Sequence, residues 1–180
     1  MAFLPSGSVV YQQYITDTPT SLVSNLKNIG YTCVAMHPYY DTGWSRNIVY
    51  PNMGFDETHF IDDFDQTKIL RDYITDQELY EKIVDRYESK KSNEDLFIMS
   101  ISMQNHGGYT VEDRAGFEPT VKLGYDTEYP LAETYLSLAR ESDSAFKELL
   151  EYFEKVDEPT MIVMFGDHWP KIEEEFMAKL

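Results

Sequence analysis

The chain has 180 residues, with 15 lysine and arginine residues against 32 aspartate and glutamate residues, which gives a formal net charge of −17 at pH 7. This charge argues against a binder of the nucleic-acid phosphate backbone, which needs a basic face, and against a polybasic anchor on an anionic membrane. Hydrophobic residues make up 42% of the sequence and aromatic residues 14%, so the chain is predicted to fold around a buried core.

The first half of the chain is predicted to hold two helices and a buried strand. Residues 20–29 are predicted to form a helix that ends at Gly30, because glycine favours the left-handed conformation that follows a helix. Residues 31–36 are a short apolar run, which predicts a strand covered on both faces. A capping box at residues 75–78 predicts the start of the second helix. The apolar stripe of that helix consists of Leu79, Ile83 and Tyr87.

The second half is predicted to hold buried strands over residues 96–103 and 160–165, with a long amphipathic helix over residues 131–156 between them. Residues 104–130 show no clear periodicity and are predicted to form a loop or a small hairpin. Alternating helices and buried strands predict an α/β fold with a doubly wound, mostly parallel sheet and helices on both faces. Because the chain starts and stops within apolar or helical patterns, we expect residues 1–180 to be a single, truncated domain.

The sequence carries no signal for a membrane span or a disulfide. No run of about 18 apolar residues is present, as a membrane-spanning helix would need. The start of the chain lacks the charged and apolar regions of a signal peptide. Cys33 is the single cysteine and lies within a predicted strand, which favours a buried and unreactive thiol.

Polar side chains follow each predicted strand, which is where ligands bind in folds of this class. Trp44 and Arg46 follow the first strand, and an arginine can hold a phosphate through two parallel hydrogen bonds beside the flat face of a tryptophan. The alternative is an ordinary exposed arginine with a tryptophan in the core. His37, directly after this strand and before a proline, is interpreted as a structural residue or as a support for a neighbouring site residue.

The second and third predicted strands are also followed by candidate site residues. His106 stands before two glycines and can donate to an anionic oxygen or act as an acid or base, unless it is a surface histidine in a tight turn. Asp167 and His168 follow the third strand, and their oxygen and imidazole donors suit a divalent cation. The alternative is a capping carboxylate beside a loop histidine. Two donors are fewer than the three or more that a catalytic metal site usually needs.

No nucleophile accompanies these residues. The serines and threonines before the first strand do not follow a strand with a base beside them. These residues are Ser6, Ser8, Thr16, Thr18 and Thr20.

Taken together, these stretches resemble the lipoteichoic acid synthase family of phosphoglycerol transferases, which are sulfatase-like members of the alkaline phosphatase superfamily. The similarity runs in order along nearly the whole chain. The matching segments are residues 3–14, 30–40, 43–47, 50–55, 100–109, 135–153 and 162–168.

The resemblance implies a role for each candidate residue. Asp167 and His168 resemble two ligands of the catalytic divalent metal, usually manganese, with zinc or magnesium as alternatives. His106 resembles the histidine that contacts the phosphoglycerol group. Trp44 and Arg46 resemble the pocket residues that hold glycerol phosphate.

The implied reaction is attack of a metal-activated threonine on phosphatidylglycerol, followed by transfer of glycerol phosphate to an acceptor, at the extracellular face of the bacterial cell membrane. The family's threonine, its glutamate metal ligand and its membrane helices lie upstream of the first matching segment, so no residue of this chain corresponds to them. We therefore expect the isolated chain to be inactive and its membrane attachment to depend on segments outside it.

Two other interpretations remain. One is another enzyme of the superfamily, such as a phosphodiesterase, a phosphatase or a phosphoethanolamine transferase; a formylglycine sulfatase is disfavoured because residues 33–37 do not read Cys-x-Pro/Ala-Ser-Arg. The other is a non-catalytic, tyrosine-rich extracellular binding module. The transferase interpretation requires Arg46, His106, Asp167 and His168 to converge on one cleft, whereas the module predicts that the first two lie far from the last two.

Overall fold

The computed structural model of the chain describes residues 13–14 and 19–180. Most of the matching segment at residues 3–14, and the serines and threonines up to Thr18, lie outside the described residues. The chain divides into two compact units, which are Met1–Gln66 with Lys82–Ser102 and Thr67–Glu81 with Met103–Leu180.

Helices and strands are distributed along the whole described chain. The helices are α1 (Leu22–Asn28), α2 (Arg46–Met53), α3 (Asp76–Glu88), α4 (Pro130–Phe153) and α5 (Glu174–Met177). The strands are β1 (Thr32–Met36), β2 (Glu57–His59), β3 (Ile69–Leu70), β4 (Tyr73–Ile74) and β5 (Leu96–Ser100). Short 3₁₀ helices occur at Gly43–Ser45, Ile61–Asp63 and Glu112–Arg114.

A parallel sheet forms the centre of the first unit. Strand β1 lies between β2 and β5 and runs parallel to both. Cys33, Val34 and Ala35 of β1 have no exposed surface, as expected for a strand covered on both faces. The predicted strand at residues 31–36 is thus confirmed, and the one predicted at residues 96–103 is confirmed as the shorter β5. In the second unit, β3 and β4 pair as an antiparallel hairpin.

Local groups set the helix ends, and α1 begins at Leu22, two residues after the predicted start at residue 20. Ser21 caps α1 in a capping box, and Gly30, two residues after the helix, has a φ of 101°. The Thr75 hydroxyl accepts the backbone N–H of Glu78 at 3.2 Å, which is the first half of the predicted capping box at the start of α3. The backbone N–H of Thr75 donates to the carbonyl of Lys68, so the start of α3 is also tied to the β3–β4 hairpin.

The long predicted helix is α4, which ends at Phe153, three residues before the predicted end. Its buried face contributes to the core of the second unit, together with Tyr109, Tyr129 and Phe176. The buried residues of the helix are Ala132, Thr134, Ser137, Leu138, Ser142, Ala145 and Leu149. Residues 104–129, ahead of this helix, form the predicted loop, with a single 3₁₀ turn. None of the described helices, α4 included, is long and apolar enough to cross a membrane.

The strand predicted over residues 160–165 is wrong. The segment has no regular secondary structure, and the side chains of Met161 and Phe165 are 88% and 81% exposed. A strand needs backbone hydrogen bonds to a neighbouring strand, and none of the described strands pairs with this segment. An apolar run in a sequence indicates only a tendency toward burial. Whether the run becomes a strand depends on a neighbouring strand with which it can pair.

An ion-pair cluster joins α3 to β2 and to the turn that precedes β5. The Arg86 guanidinium donates to both carboxylate oxygens of Glu57 at 2.8 Å and to Glu94 at 2.7 Å. Arg86 and, to a smaller extent, the backbone N–H of Lys91 lower the pKa of Glu94 to about 2. Arg86 also lowers the pKa of Glu57. Both carboxylates are therefore more stable as anions in the folded chain than in the unfolded chain.

This cluster predicts a specific loss of stability in acid. A carboxyl whose pKa is depressed by folding stabilises the folded state above its unfolded pKa, near 4.5, and loses that contribution as the pH falls toward its folded value near 2. The melting temperature of the parent chain is expected to fall between pH 5 and pH 2.5, and Glu94→Gln is expected to flatten that dependence. Glu128→Gln, at an exposed carboxyl, is the control. Identical pH profiles for the two variants would contradict the assignment.

Candidate functional site

The turn that carries Trp44 and Arg46 is held in an unusual backbone conformation. It follows β1, and both Trp44 and Ser45 have a φ of 56°, in the left-handed region that residues with a side chain rarely adopt. Each such residue costs on the order of 1 kcal/mol and clusters at functional sites. The Trp44 side chain is 53% exposed, so the core alternative for this tryptophan is wrong. Arg46 Nη1 donates to the carbonyl of Gly43 at 3.0 Å within the same turn.

His37 has the structural role predicted for it. The side chain is fully buried, and Nδ1 lies 2.8 Å from the carbonyl oxygen of Ile101, to which it donates. Its backbone N–H donates to the carbonyl of His59 at the end of β2. His37 therefore ties together the ends of all three parallel strands.

Cys33 is likewise inert. The thiol is buried in β1, and its hydrogen-bond acceptor is the carbonyl of Val23 at 3.7 Å. Burial is the main reason that the pKa of this thiol is raised, with Asp56 adding to the effect. A raised pKa disfavours the thiolate, as predicted for an unreactive cysteine.

His106 is exposed at the tip of the loop that follows β5 in sequence. Its backbone N–H donates to the carbonyl of Met103 at 2.9 Å. Its ring lies beside that of Tyr73, with the Tyr73 hydroxyl 3.4 Å from Nδ1 and the ring centroids 5.8 Å apart. Gly108 has a φ of 95°, and an added Cβ would lie 3.0 Å from the Asp113 carboxyl carbon. The second glycine is therefore needed both for the backbone conformation and for the close approach of Asp113.

A buried polar network fixes the residues just before His106. The Ser142 hydroxyl, in the middle of α4, donates to the Asp76 carboxylate at 2.5 Å and accepts from the amides of Gln104 and Asn105 at 3.2 Å and 2.8 Å. Gln104 also accepts the backbone N–H of Asp76 at 2.9 Å. Sequence reasoning missed this network because it considered only the amphipathic pattern of the helix over residues 131–156 and not the partners of its polar residues. A serine and a carboxylate at buried helix positions are the available signal, because buried polar groups need partners.

Asp167 and His168 lie side by side in an exposed loop of the second unit. Their side chains are 76% and 71% exposed, and Oδ2 of Asp167 lies 3.6 Å from Nε2 of His168. His168 Nδ1 donates to the carbonyl of Trp169 at 3.0 Å, which leaves Nε2 facing the carboxylate. This arrangement supplies one oxygen donor and one nitrogen donor for a cation, and fits part of a divalent metal site.

The rest of a coordination sphere is not found among residues 13–14 and 19–180. They contain no group of three or more histidine, cysteine, aspartate or glutamate side chains placed to hold a metal ion. Metal binding by Asp167 and His168 stays a prediction.

Tyr109 is a buried residue of the loop that carries His106. Burial raises the pKa of the Tyr109 hydroxyl, with smaller contributions from Tyr135 and Asp167. The same hydroxyl donates to the carbonyl of Asn105 at 2.8 Å.

Three of the predicted site residues, His106, Asp167 and His168, belong to the second unit. Trp44 and Arg46 belong to the other unit, and their convergence with the first three stays a prediction.

This chain is similar in sequence and in fold to several known proteins. The sequence profile of the sulfatase family matches residues 2–179. A putative cyclic β-1,2-glucan modification protein of Rhizobium meliloti is 30% identical over 174 residues, which cover 95% of this chain and 27% of that protein. The lipoteichoic acid synthase LtaP of Listeria monocytogenes superimposes with a TM-score of 0.69 at 20% identity, over 82% of this chain and 36% of that chain.

A further solved structure is the phosphoglycerol transferase GacH of Streptococcus pyogenes, in complex with sn-glycerol-1-phosphate. It superimposes with a TM-score of 0.61 at 20% identity, over 86% of this chain and 41% of that chain. The chain spans about a quarter of the length of the curated relatives it matches. These similarities confirm the predicted α/β fold with a mostly parallel sheet, as part of a larger domain.

Proposed function

The chain belongs to the sulfatase family, and from this premise we propose that it forms the central and C-terminal part of the catalytic domain of a metal-dependent phosphoglycerol transferase. The enzyme moves glycerol phosphate from phosphatidylglycerol to an acceptor hydroxyl at the extracellular face of the cell membrane. The observation that carries this proposal is the turn at Gly43–Ser45 and Arg46, where a strained backbone next to the central strand presents an exposed tryptophan and a guanidinium.

The chemistry of this turn suits glycerol phosphate. A guanidinium can hold two phosphoryl oxygens through parallel hydrogen bonds, and Arg46 stabilises their charge in this way. The flat face of Trp44 covers the carbons of the glycerol. In a chain with a net charge of −17, such cationic groups are needed to make a local site for an anionic head group.

The residues of the second unit contact the phosphoglycerol group and bind the divalent cation. His106 donates a hydrogen bond to an oxygen of the phosphoglycerol group from the tip of its braced loop. Asp167 and His168 hold a divalent cation, with manganese favoured, and their donor atoms 3.6 Å apart fit a shared cation. When bound, the cation supplies positive charge that stabilises the phosphoryl oxygens.

The acceptor is a hydroxyl of a cell-envelope polymer. The Rhizobium meliloti relative is named for modification of a cyclic glucan, and LtaP is named for synthesis of lipoteichoic acid. A glucan and a glycerol phosphate polymer share one reactive group, the alcohol. Parallel assays with cyclic β-1,2-glucan and with a glycerol phosphate oligomer distinguish these two sources.

A comparison of two lipid head groups tests the proposal. The full-length protein with Mn²⁺ is expected to release diacylglycerol from vesicles of phosphatidylglycerol, and at least about tenfold less from vesicles of phosphatidylethanolamine, because Arg46 and Trp44 offer the amine no anionic partner. A preference for phosphatidylethanolamine would show a phosphoethanolamine transferase instead. Release from neither lipid would favour the non-catalytic binding module.

The isolated 180-residue chain is expected to give no turnover. No residue of the chain matches the threonine nucleophile that the resemblance implies, and two metal donors are too few for a catalytic site. The measurement is Mn²⁺-dependent hydrolysis of a glycerophosphate ester by the purified chain. Hydrolysis that follows the chain through purification and disappears with Asp167→Asn would contradict this expectation.

A further inference from the structure

Arg71 occupies a position in the second unit where an arginine is unexpected. It is the first of the two residues that connect β3 to β4, and its φ is 60°. Tight hairpin connections of this length usually place glycine, asparagine or aspartate in left-handed positions. An arginine in this conformation is strained, so its side chain is expected to compensate through contacts elsewhere.

The Arg71 side chain makes those contacts with the loop that carries His106. The residue is only 8% exposed. Its Nε donates to the carbonyl of Asp113 at 3.0 Å, Nη1 to the carbonyl of His106 at 3.3 Å and Nη2 to the carbonyl of Gly108 at 2.5 Å. A single buried guanidinium thus holds three carbonyls on both sides of the loop. A buried cation is tolerated only when it is hydrogen-bonded in this way.

The aromatic rings around the guanidinium connect it to the His106 side chain. The Arg71 guanidinium carbon lies 5.6 Å from the ring centroid of Tyr73 and 5.9 Å from that of Tyr109, within the range of cation–π attraction. Tyr73 is also the residue whose hydroxyl faces Nδ1 of His106. Arg71 therefore contacts both the backbone of His106 and the ring packed against its imidazole.

The far side of the loop is closed by Asp113. Its carboxylate accepts from the backbone N–H and the hydroxyl of Thr110 at 2.9 Å and 2.7 Å, and it packs against Gly108. Its carbonyl is bound by Arg71. The residues between His106 and Asp113 therefore form a closed loop around one guanidinium.

From these contacts we propose that Arg71 is the positioning residue for His106: its guanidinium sets the conformation of the loop and the orientation of the imidazole. The orientation itself is inferred from the contacts of Arg71. Only its purpose, which is to aim His106 at the phosphoglycerol group, rests on the proposed function. A lysine cannot replace the arginine, because one ammonium cannot donate to three separated carbonyls in the geometry of a planar fork.

Two variants test the proposal in the 180-residue chain. Arg71→Lys keeps the charge but loses the fork, and Arg114→Lys is the matched control, because the Arg114 side chain donates to Thr134 and to the Pro130 carbonyl of α4 instead. In NMR spectra of isotope-labelled chain, Arg71→Lys is expected to shift the His106 imidazole signals and to increase the fast backbone motion of Gly107 and Gly108. The signals of His59, in the first unit, are expected to stay unchanged.

Tyr73→Phe provides a second variant in case Arg71→Lys does not fold. It removes the hydroxyl facing Nδ1 while leaving the guanidinium and the three carbonyls in place. It is expected to shift the His106 imidazole and to leave the backbone motion of Gly107 and Gly108 unchanged. If neither variant moves the His106 signals by more than Arg114→Lys does, the proposal is overturned.

Transfer of glycerol phosphate by the full-length protein provides the functional readout. Arg71→Lys is expected to lower kcat at least about tenfold, with KM for phosphatidylglycerol changed less than about twofold, because His106 is misaligned rather than removed. Arg114→Lys is expected to stay within about twofold of the parent in both constants. An unaltered kcat in Arg71→Lys would overturn the positioning role. If the parent transfers nothing, the proposed function fails, while the NMR comparison still decides the role of Arg71.

Discussion

The Asp167→Asn variant of the full-length protein is expected to transfer glycerol phosphate at least about a hundredfold more slowly than the parent, a loss of ~2.7 kcal/mol of transition-state stabilisation. Asparagine keeps the size of the side chain and one oxygen but removes the negative charge that is proposed to hold a divalent cation. Asp167 is 76% exposed and lies beside His168, so the substitution removes the proposed ligand without opening a cavity in the core.

The loss in Asp167→Asn has a specific dependence on metal concentration. A weakened site is expected to recover part of its rate at high Mn²⁺, because mass action offsets a lower affinity. Asp157→Asn, an exposed carboxyl beyond the end of α4, is the matched control and is expected to keep the parent rate. A rate within about threefold of the parent for Asp167→Asn at limiting Mn²⁺ would remove Asp167 from the metal site.

The second large effect is expected at Arg46. Arg46→Lys keeps the positive charge but cannot form two parallel hydrogen bonds to a phosphate, so kcat/KM for phosphatidylglycerol is expected to fall about tenfold to a hundredfold. The lysine can still reach the Gly43 carbonyl, to which Arg46 donates at 3.0 Å, so the turn is expected to keep its conformation. The melting temperature of the variant checks that the fold is intact.

Arg140→Lys is the control for Arg46→Lys. Arg140 is exposed on α4, and the same substitution there is expected to leave kcat/KM within about twofold of the parent. Equal effects of the two substitutions would show that Arg46 is an ordinary surface arginine, which was the alternative that the sequence left open. A loss confined to Arg46→Lys would place phosphate at the turn after β1.

Local signals in the sequence predicted the elements that depend on local interactions. The end of α1 before Gly30 and the Thr75 cap at the start of α3 follow from backbone and side-chain groups within a few residues of each other. Strand β1 follows from a continuous apolar run. The run at residues 160–165 looks the same in sequence but forms no strand, because pairing requires a neighbour that the run itself does not specify.

The candidate site shows the same difference between features that local sequence predicts and features that depend on distant residues. Residues directly after strands, such as Trp44 and His106, could be singled out because ligands bind at those places in this class of fold. The supports of the site could not, because they connect distant positions. Ser142 binds Asp76 across 66 residues of sequence, and Arg71 binds the His106 carbonyl across 35. Such contacts depend on the tertiary fold and leave no periodic signature in the chain.

The most direct test of the proposed function is which bond of phosphatidylglycerol the full-length protein breaks. With the head group labelled and Mn²⁺ present, the lipid product is expected to be diacylglycerol, and the acceptor is expected to gain one glycerophosphoryl group, which is the mass of glycerol phosphate less one water. Arg46→Lys and Asp167→Asn are expected to reduce both products together. Formation of phosphatidic acid and free glycerol, or release of inorganic phosphate without a change in acceptor mass, would contradict a phosphoglycerol transferase.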